Sequence, residues 1–267
     1  MTTYATLALE QRGPIEILSL NRPEALNAMS PQMIEEMRDY FDGLLQRVDA
    51  RVVLLRANGS AFSAGADLGS VAFSEPGAGR PQRQMEMQKL YSGLIKLMRG
   101  CPQPIIALLH GPVCGGGFSL ALASDVRYAA PSAKLNAAYI RVGLGGCDMG
   151  AGYLLPRLVG LSAASEFLLS GRFILAERAK AMGLVSDIVA EDQLLETGLT
   201  LAADMLKASP MGLRMTKETL NLQIDAPSLE AGLTLEDRQQ VMLLETADHR
   251  EAVSAFREKR APRYQDR

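Results

Sequence analysis

The chain has 267 residues, 48% of them hydrophobic, so it can bury a full core as one large domain or as a domain with an appendage. Its 28 Lys and Arg against 30 Asp and Glu leave a net charge of −2 with no long run of either sign, which argues against nucleic acid or a membrane surface as a partner. Three cysteines without paired spacing, Cys101, Cys114 and Cys147, fit a reducing cytosol better than a disulfide framework. No stretch reaches membrane-spanning length and the N-terminus lacks a secretory pattern, so the protein is expected in the cytoplasm.

Residues 4–21 alternate apolar and polar about Arg12-Gly13-Pro14, which predicts a hairpin. A helix follows, capped by Ser30, with Pro31 at its first position and an apolar stripe of Met33, Met37, Phe41, Leu44 and Val48. VVLLRA (52–57) predicts a buried strand, and residues 58–80, rich in small residues and proline, predict a loop that continues to about 83 and helps to shape a pocket. A helix is expected over 84–99. The strand PIIALLH (104–110) then runs straight into Gly115-Gly116-Gly117, with a small-residue helix behind.

Short strands are expected at 125–130 and 134–138, an irregular stretch at 139–152, and helices from about 153 onward, broken by the strand-like LVSDIV (184–189). Strands alternating with helices and then a helical tail predict an α/β fold, with a core over 1–200 and a helical C-terminal region over 201–267.

The glycine triplet admits three readings: a phosphate cradle, a close packing contact, or a turn that stabilises negative charge. Neither GxGxxG nor a Walker sequence is present, which sets nucleotide fingerprints aside. FSAGADL (62–68), after the strand VVLLRA, is a second small-residue turn, so two βα turns each offer backbone N–H groups. If the two converged on one oxygen they would make an oxyanion hole.

LNRPEALNAMS (20–30), FSAGADL (62–68), PIIALLHGPVCGGGFSLALASDVRYAA (104–130), PRLVG (156–160) and AFREKRAP (255–262) together resemble the enoyl-CoA hydratase/isomerase, or crotonase, superfamily, in that family's order and over nearly the whole chain. The resemblance implies a spiral core of ββα repeats, C-terminal helices that form a homotrimer or a dimer of trimers, and an acyl-CoA thioester as substrate, with coenzyme A entering only as part of it. It also implies that the N–H groups of Ala66 and Gly116 hold the thioester oxygen, and that Leu26, Ala64, Asp67 and Leu68 line the CoA channel.

Hydratases of this family carry one glutamate two residues after the triplet and another about twenty residues later. Here those positions hold Ser119 and Tyr139, which speaks against two-glutamate hydration. Asp148, in GCDMG, stands where other branches use an aspartate, and it is the candidate acid/base; the competing reading makes it the cap of the next helix. Tyr139 is expected beside the substrate, and Cys147 as a small buried cysteine. His110 and His249, the only histidines, give no metal site. Arg257, Lys259, Arg260 and Arg263 are either a solvated helix end or contacts to CoA phosphates, and Met85, Met87, Leu90 and Tyr91 are either core or acyl-chain contacts.

The expected activity is movement of a proton or a double bond in an acyl-CoA through a thioester enolate. Thioester hydrolysis and non-catalytic acyl-CoA binding are the alternatives.

Overall fold

The computed structural model describes residues 3–69 and 80–267. The hairpin forms as expected, β1 (Leu7–Arg12) pairing antiparallel with β2 (Ile15–Leu20), although its first strand starts three residues later than the alternation suggested. Helix α1 (Pro31–Gly43) is capped by Ser30, whose side chain accepts from the Met33 amide. The helix ends before Val48, which is 70% exposed, so the stripe stops at Leu44, in a 3-10 turn that follows.

Strand β3 (Val52–Ala57) lies parallel to β2 and to β4 (Ile105–Leu109), and helix α2 (Arg80–Gly100) joins the last two. The expected loop is therefore helical from residue 80, and its residues 70–79 lie outside the described residues. The chain does not run from β4 straight into the glycines: a further strand, β5 (Pro112–Cys114), intervenes. It was invisible in the sequence because it is three residues long and begins at a proline. Helix α3 (Gly116–Ala123), β6 (Val126–Ala129) and β7 (Lys134–Asn136) follow.

Beyond them come α4 (Ala151–Val159), α5 (Leu161–Ser170), β8 (Ile174–Leu175), α6 (Ala176–Ala181) and β9 (Asp187–Ile188). LVSDIV thus contributes two paired residues, not six. Helices α7 (Leu194–Met205), α8 (Pro210–Gln223), α9 (Leu229–Leu244) and α10 (Ala247–Glu258) complete the chain. Residue 200 lies inside α7.

Two sheets result, a six-stranded one ordered β1-β2-β3-β4-β6-β9 and a three-stranded one ordered β5-β7-β8. The central strands of the larger sheet are buried on both faces, which is why they read as unbroken apolar runs. Leu18, Val53, Leu55, Ala107 and Leu109 pack in the main core with Phe41 of α1, Leu94 of α2 and Phe118 of α3. Ile17, Val52, Leu54, Ile106 and Leu108 face the other way, onto Leu194 and Ala202 of α7.

Candidate active site

The three glycines meet the second turn through strand pairing. Ser63 bridges Val113 of β5: the Ser63 amide donates to the Pro112 carbonyl at 3.0 Å, and the Cys114 amide donates back to Ser63 at 2.9 Å. The two turns then press together at their glycines. Gly65 has φ +97°, and a Cβ placed on it would lie 3.0 Å from the Cys114 carbonyl oxygen and 3.4 Å from the Gly115 Cα. Gly115 has φ 51° and ψ −121°, a conformation open in practice only to glycine. At Gly65 and Gly115 the two backbones meet directly, and the Ser63 side chain packs against Gly117, so the close approach of the turns, unreadable from sequence, is a property of the fold.

Each turn leaves an amide out of these pairings. Met29 donates to the Gly65 carbonyl at 2.7 Å and accepts from the Asp67 amide at 3.1 Å, which turns the intervening Ala66 N–H to the opposite side of the chain. Gly116 opens α3, whose first internal bond runs from the Ser119 amide to the Gly115 carbonyl at 3.0 Å, so the Gly116 N–H is one of the donors the helix itself does not use. Ala66 and Gly116 line one pocket.

Asp148, Tyr139, Ala64 and Leu68 line the same pocket, as do Gln84, Met87, Gln88, Tyr91 and Met149. Asp148 is its only described carboxylate. The helix-cap alternative does not hold: the residue capping α4 is Gly150, with no side-chain cap, and the Asp148 carboxylate instead accepts from Gln88 Nε2 at 2.5 Å and from the Met149 amide at 2.7 Å. Gln88 lies on α2, sixty residues from Asp148, so nothing in the local sequence marked it. Met87 and Tyr91 share that pocket face, whereas Met85 is 56% exposed.

The two positions where hydratases carry glutamates are neighbours. Ser119 Oγ lies 2.5 Å from the Tyr139 hydroxyl, which donates to the Gly115 carbonyl at 2.8 Å; both residues are buried. Burial, opposed by the Ser119 hydrogen bond and reinforced by the charge of Asp148, pushes the Tyr139 phenol well above its ordinary range. Burial and then Asp67 push Tyr91 up to about 12. Both phenols therefore remain protonated at neutral pH.

Leu26 and Asp67 are not among the lining residues of this pocket. Leu26 is 44% exposed, and its carbonyl accepts from the Ala64 amide at 2.9 Å, which sets it next to the lining. Asp67 is ion-paired to Arg22 at 3.1 Å. Asn27, unmarked by the sequence reading, ties this segment together from full burial: it accepts from the Arg22 amide and donates to the carbonyls of Asn58 and Ala61, each at 2.8 Å, while holding φ 53°. Asn27→Ala strands those partners, and a loss of about 2–4 kcal/mol in unfolding free energy is expected by denaturant titration.

The remaining candidates lie elsewhere. Cys147 is exposed, against expectation, because the segment that carries it runs at the surface before α4, and it does not line the pocket. His110 Nε2 meets the Gly59 carbonyl at 2.9 Å, and Arg260 is paired to Glu251 and Glu258. Among the described residues no group of three or more His, Cys, Asp or Glu is placed to hold a metal ion.

A family model described as enoyl-CoA hydratase/isomerase matches residues 10–267. The chain belongs to that family. Among similar members is a "probable enoyl-CoA hydratase", EchA12, of Mycobacterium tuberculosis, 39% identical over 99% of this chain and 94% of its own. The 1,2-epoxyphenylacetyl-CoA isomerase of Escherichia coli is 32% identical over 92% of this chain and 93% of its own. The crystal structure of an enoyl-CoA hydratase from Bacillus anthracis superposes with a TM-score of 0.92 at 30% identity, covering 98% of this chain and all of the other. The mixed α/β fold with its helical C-terminal region is thus that of the family, and the protein is an enzyme of the hydratase/isomerase type.

Proposed function

We propose that this hydratase/isomerase family member shifts a proton, and with it a double bond, within an acyl-CoA thioester. The observation that carries the reading is that Ala66 and Gly116 line one pocket with a single described carboxylate, Asp148. In this mechanism the thioester oxygen sits between the two amides. Asp148 removes a proton from carbon at or beyond the α position, and the electron pair left behind delocalises onto the oxygen as an enolate. The fixed N–H dipoles stabilise that charge, and losing one such donor typically costs about 3 kcal/mol of barrier. Asp148 then returns the proton at another carbon.

Hydration would require a second group to hold and activate water. The hydroxyls of Ser119 and Tyr139 are bonded to each other and to the Gly115 carbonyl, which favours the isomerase reading. Saturated, 2-enoyl, 3-enoyl and dienoyl CoA thioesters incubated in deuterated water and followed by mass spectrometry test it. Deuterium uptake with a moved double bond is expected. A product heavier by one water indicates hydration, free CoA indicates thioester hydrolysis, and tight binding without exchange indicates a non-catalytic binder; each would overturn the isomerase reading.

We further infer a cytoplasmic homotrimer or dimer of trimers. No described helix is long and apolar enough to cross a membrane, and the C-terminal helices leave Leu229, Val241, Leu244 and Phe256 between 52% and 85% exposed, more apolar surface than helix packing within one chain covers. Sedimentation equilibrium should return three or six times the chain mass of 28.8 kDa, and a monomer would refute the assembly.

A further inference from the structure

Tyr139 and Ser119 occupy the ground on which a hydratase would carry its acids, and their bonding shows a different use. The peptide unit between Gly115 and Gly116 has two polar ends. Its N–H is the oxyanion donor of the proposed function; its C=O, pointing the opposite way across a planar trans peptide, accepts from the Ser119 amide at 3.0 Å and from the Tyr139 hydroxyl at 2.8 Å. Gly115 itself, at φ 51° with no side chain, does little to fix that plane from its own end.

Proton counting gives the direction of the chain. Ser119 Oγ lies 2.5 Å from Tyr139 Oη and 3.3 Å from the Asp148 carbonyl oxygen. Two hydroxyl protons serve these contacts and the one to Gly115. If the phenol proton went to Ser119, the phenol oxygen would face the Gly115 carbonyl lone pairs at 2.8 Å with nothing between them. If it goes to Gly115, the Ser119 proton must fill the 2.5 Å contact, and only the longest approach is left without one. The order is therefore Ser119 to Tyr139 to Gly115, a run of hydrogen bonds in which each donor strengthens the next. Its last member pulls on the carbonyl of the very peptide whose N–H faces the pocket.

We propose that Tyr139, oriented by Ser119, is a positioning residue that holds and polarises the Gly115–Gly116 peptide so that the Gly116 N–H is aimed at the thioester oxygen. This rests on the oxyanion assignment made above. The phenol acts through the peptide and transfers no proton to substrate, and burial keeps it protonated in that role.

The test uses Tyr139→Phe, which keeps the ring and removes only the hydroxyl, together with Ser119→Ala and the double variant. Two readouts are compared with wild type: steady-state kinetics on the best thioester of the panel, and the C=O stretching frequency of a bound, isotope-edited acyl-CoA by infrared difference spectroscopy. Tyr139→Phe should lower kcat roughly tenfold, a part of the effect of losing an oxyanion donor outright, with KM little changed. The thioester stretch should move back toward its value in water. The double variant should lose no more than Tyr139→Phe alone, because both side chains act through one peptide.

An unchanged stretch and rate in Tyr139→Phe, with a polarised thioester in wild type, would overturn the positioning role and leave the oxyanion assignment standing. Loss of all deuterium exchange with the stretch unchanged would also overturn it, by making the phenol a proton donor. A wild-type protein that binds the thioester without polarising it would refute the oxyanion assignment itself.

Discussion

Asp148→Asn is expected to slow proton exchange and isomerisation of every responsive acyl-CoA by about 10²–10⁴-fold, the usual contribution of a well-placed acid or base. The substitution keeps the shape of the side chain and one carbonyl oxygen able to accept from Gln88 Nε2 and the Met149 amide, the two bonds that orient the carboxylate. It removes the one property those bonds do not need, the capacity to take up a proton from carbon. Binding of the thioester and thermal stability should therefore stay near wild type, which separates a chemical defect from a folding one. A variant that turned over all substrates at the wild-type rate would show that the base lies elsewhere.

Gly65→Ala should cost on the order of 10²–10³-fold in kcat/KM, the range seen when one oxyanion donor is lost. A methyl group at this position meets the Cys114 carbonyl oxygen at 3.0 Å and the Gly115 Cα at 3.4 Å, and the backbone at φ +97° does not suit a side chain. The cheapest relief is separation of the two turns. That moves the Ala66 amide away from the Gly116 amide, and transition-state stabilisation falls steeply with such misplacement. Steady-state kinetics combined with a melting curve decide the matter: the expected pattern is a large kinetic loss with a stability loss of about 1–3 kcal/mol. A rate close to wild type would mean that the amides are not positioned by this contact.

Much of the fold was legible along the chain because the signals were local. Alternation about Gly13 marked the hairpin, Ser30 and Pro31 marked the start of α1, and VVLLRA matched β3 residue for residue. The misreadings fall where pairing, not propensity, makes the element. Strands β5 and β8 are three and two residues long and exist because β7 lies between them, and LVSDIV reads as a full strand although only Asp187 and Ile188 are in strand register with β6, flanked by single amide bonds from Ser186 and Val189. Val48 has helical spacing but lies beyond the end of α1.

The site divides in the same way. The two small-residue turns are legible as local signals, whereas Ala66 and Gly116 are singled out as the proposed donors only by the family resemblance of their motifs. Asp148 is the candidate acid because the resemblance places an aspartate there in other branches of the family, the two glutamates of the hydratase pattern are missing, and no other carboxylate lies between Asp125 and Glu166. No local signal pointed to Gln88 or to the bonds Asn27 donates, because these reach partners from thirty to sixty residues away. The sequence by itself determined which groups were available: two glycine-rich turns, one carboxylate and two hydroxyls in place of acids. Only the tertiary structure decided how they are used. The contact between Gly65 and Gly115 brings the turns to one pocket, and the Ser119–Tyr139 pair, joined across twenty residues, is bonded back onto the Gly115 carbonyl. The physical reason is that hydrogen-bond direction and close approach depend on where the chain returns in space, and composition and spacing carry no record of that.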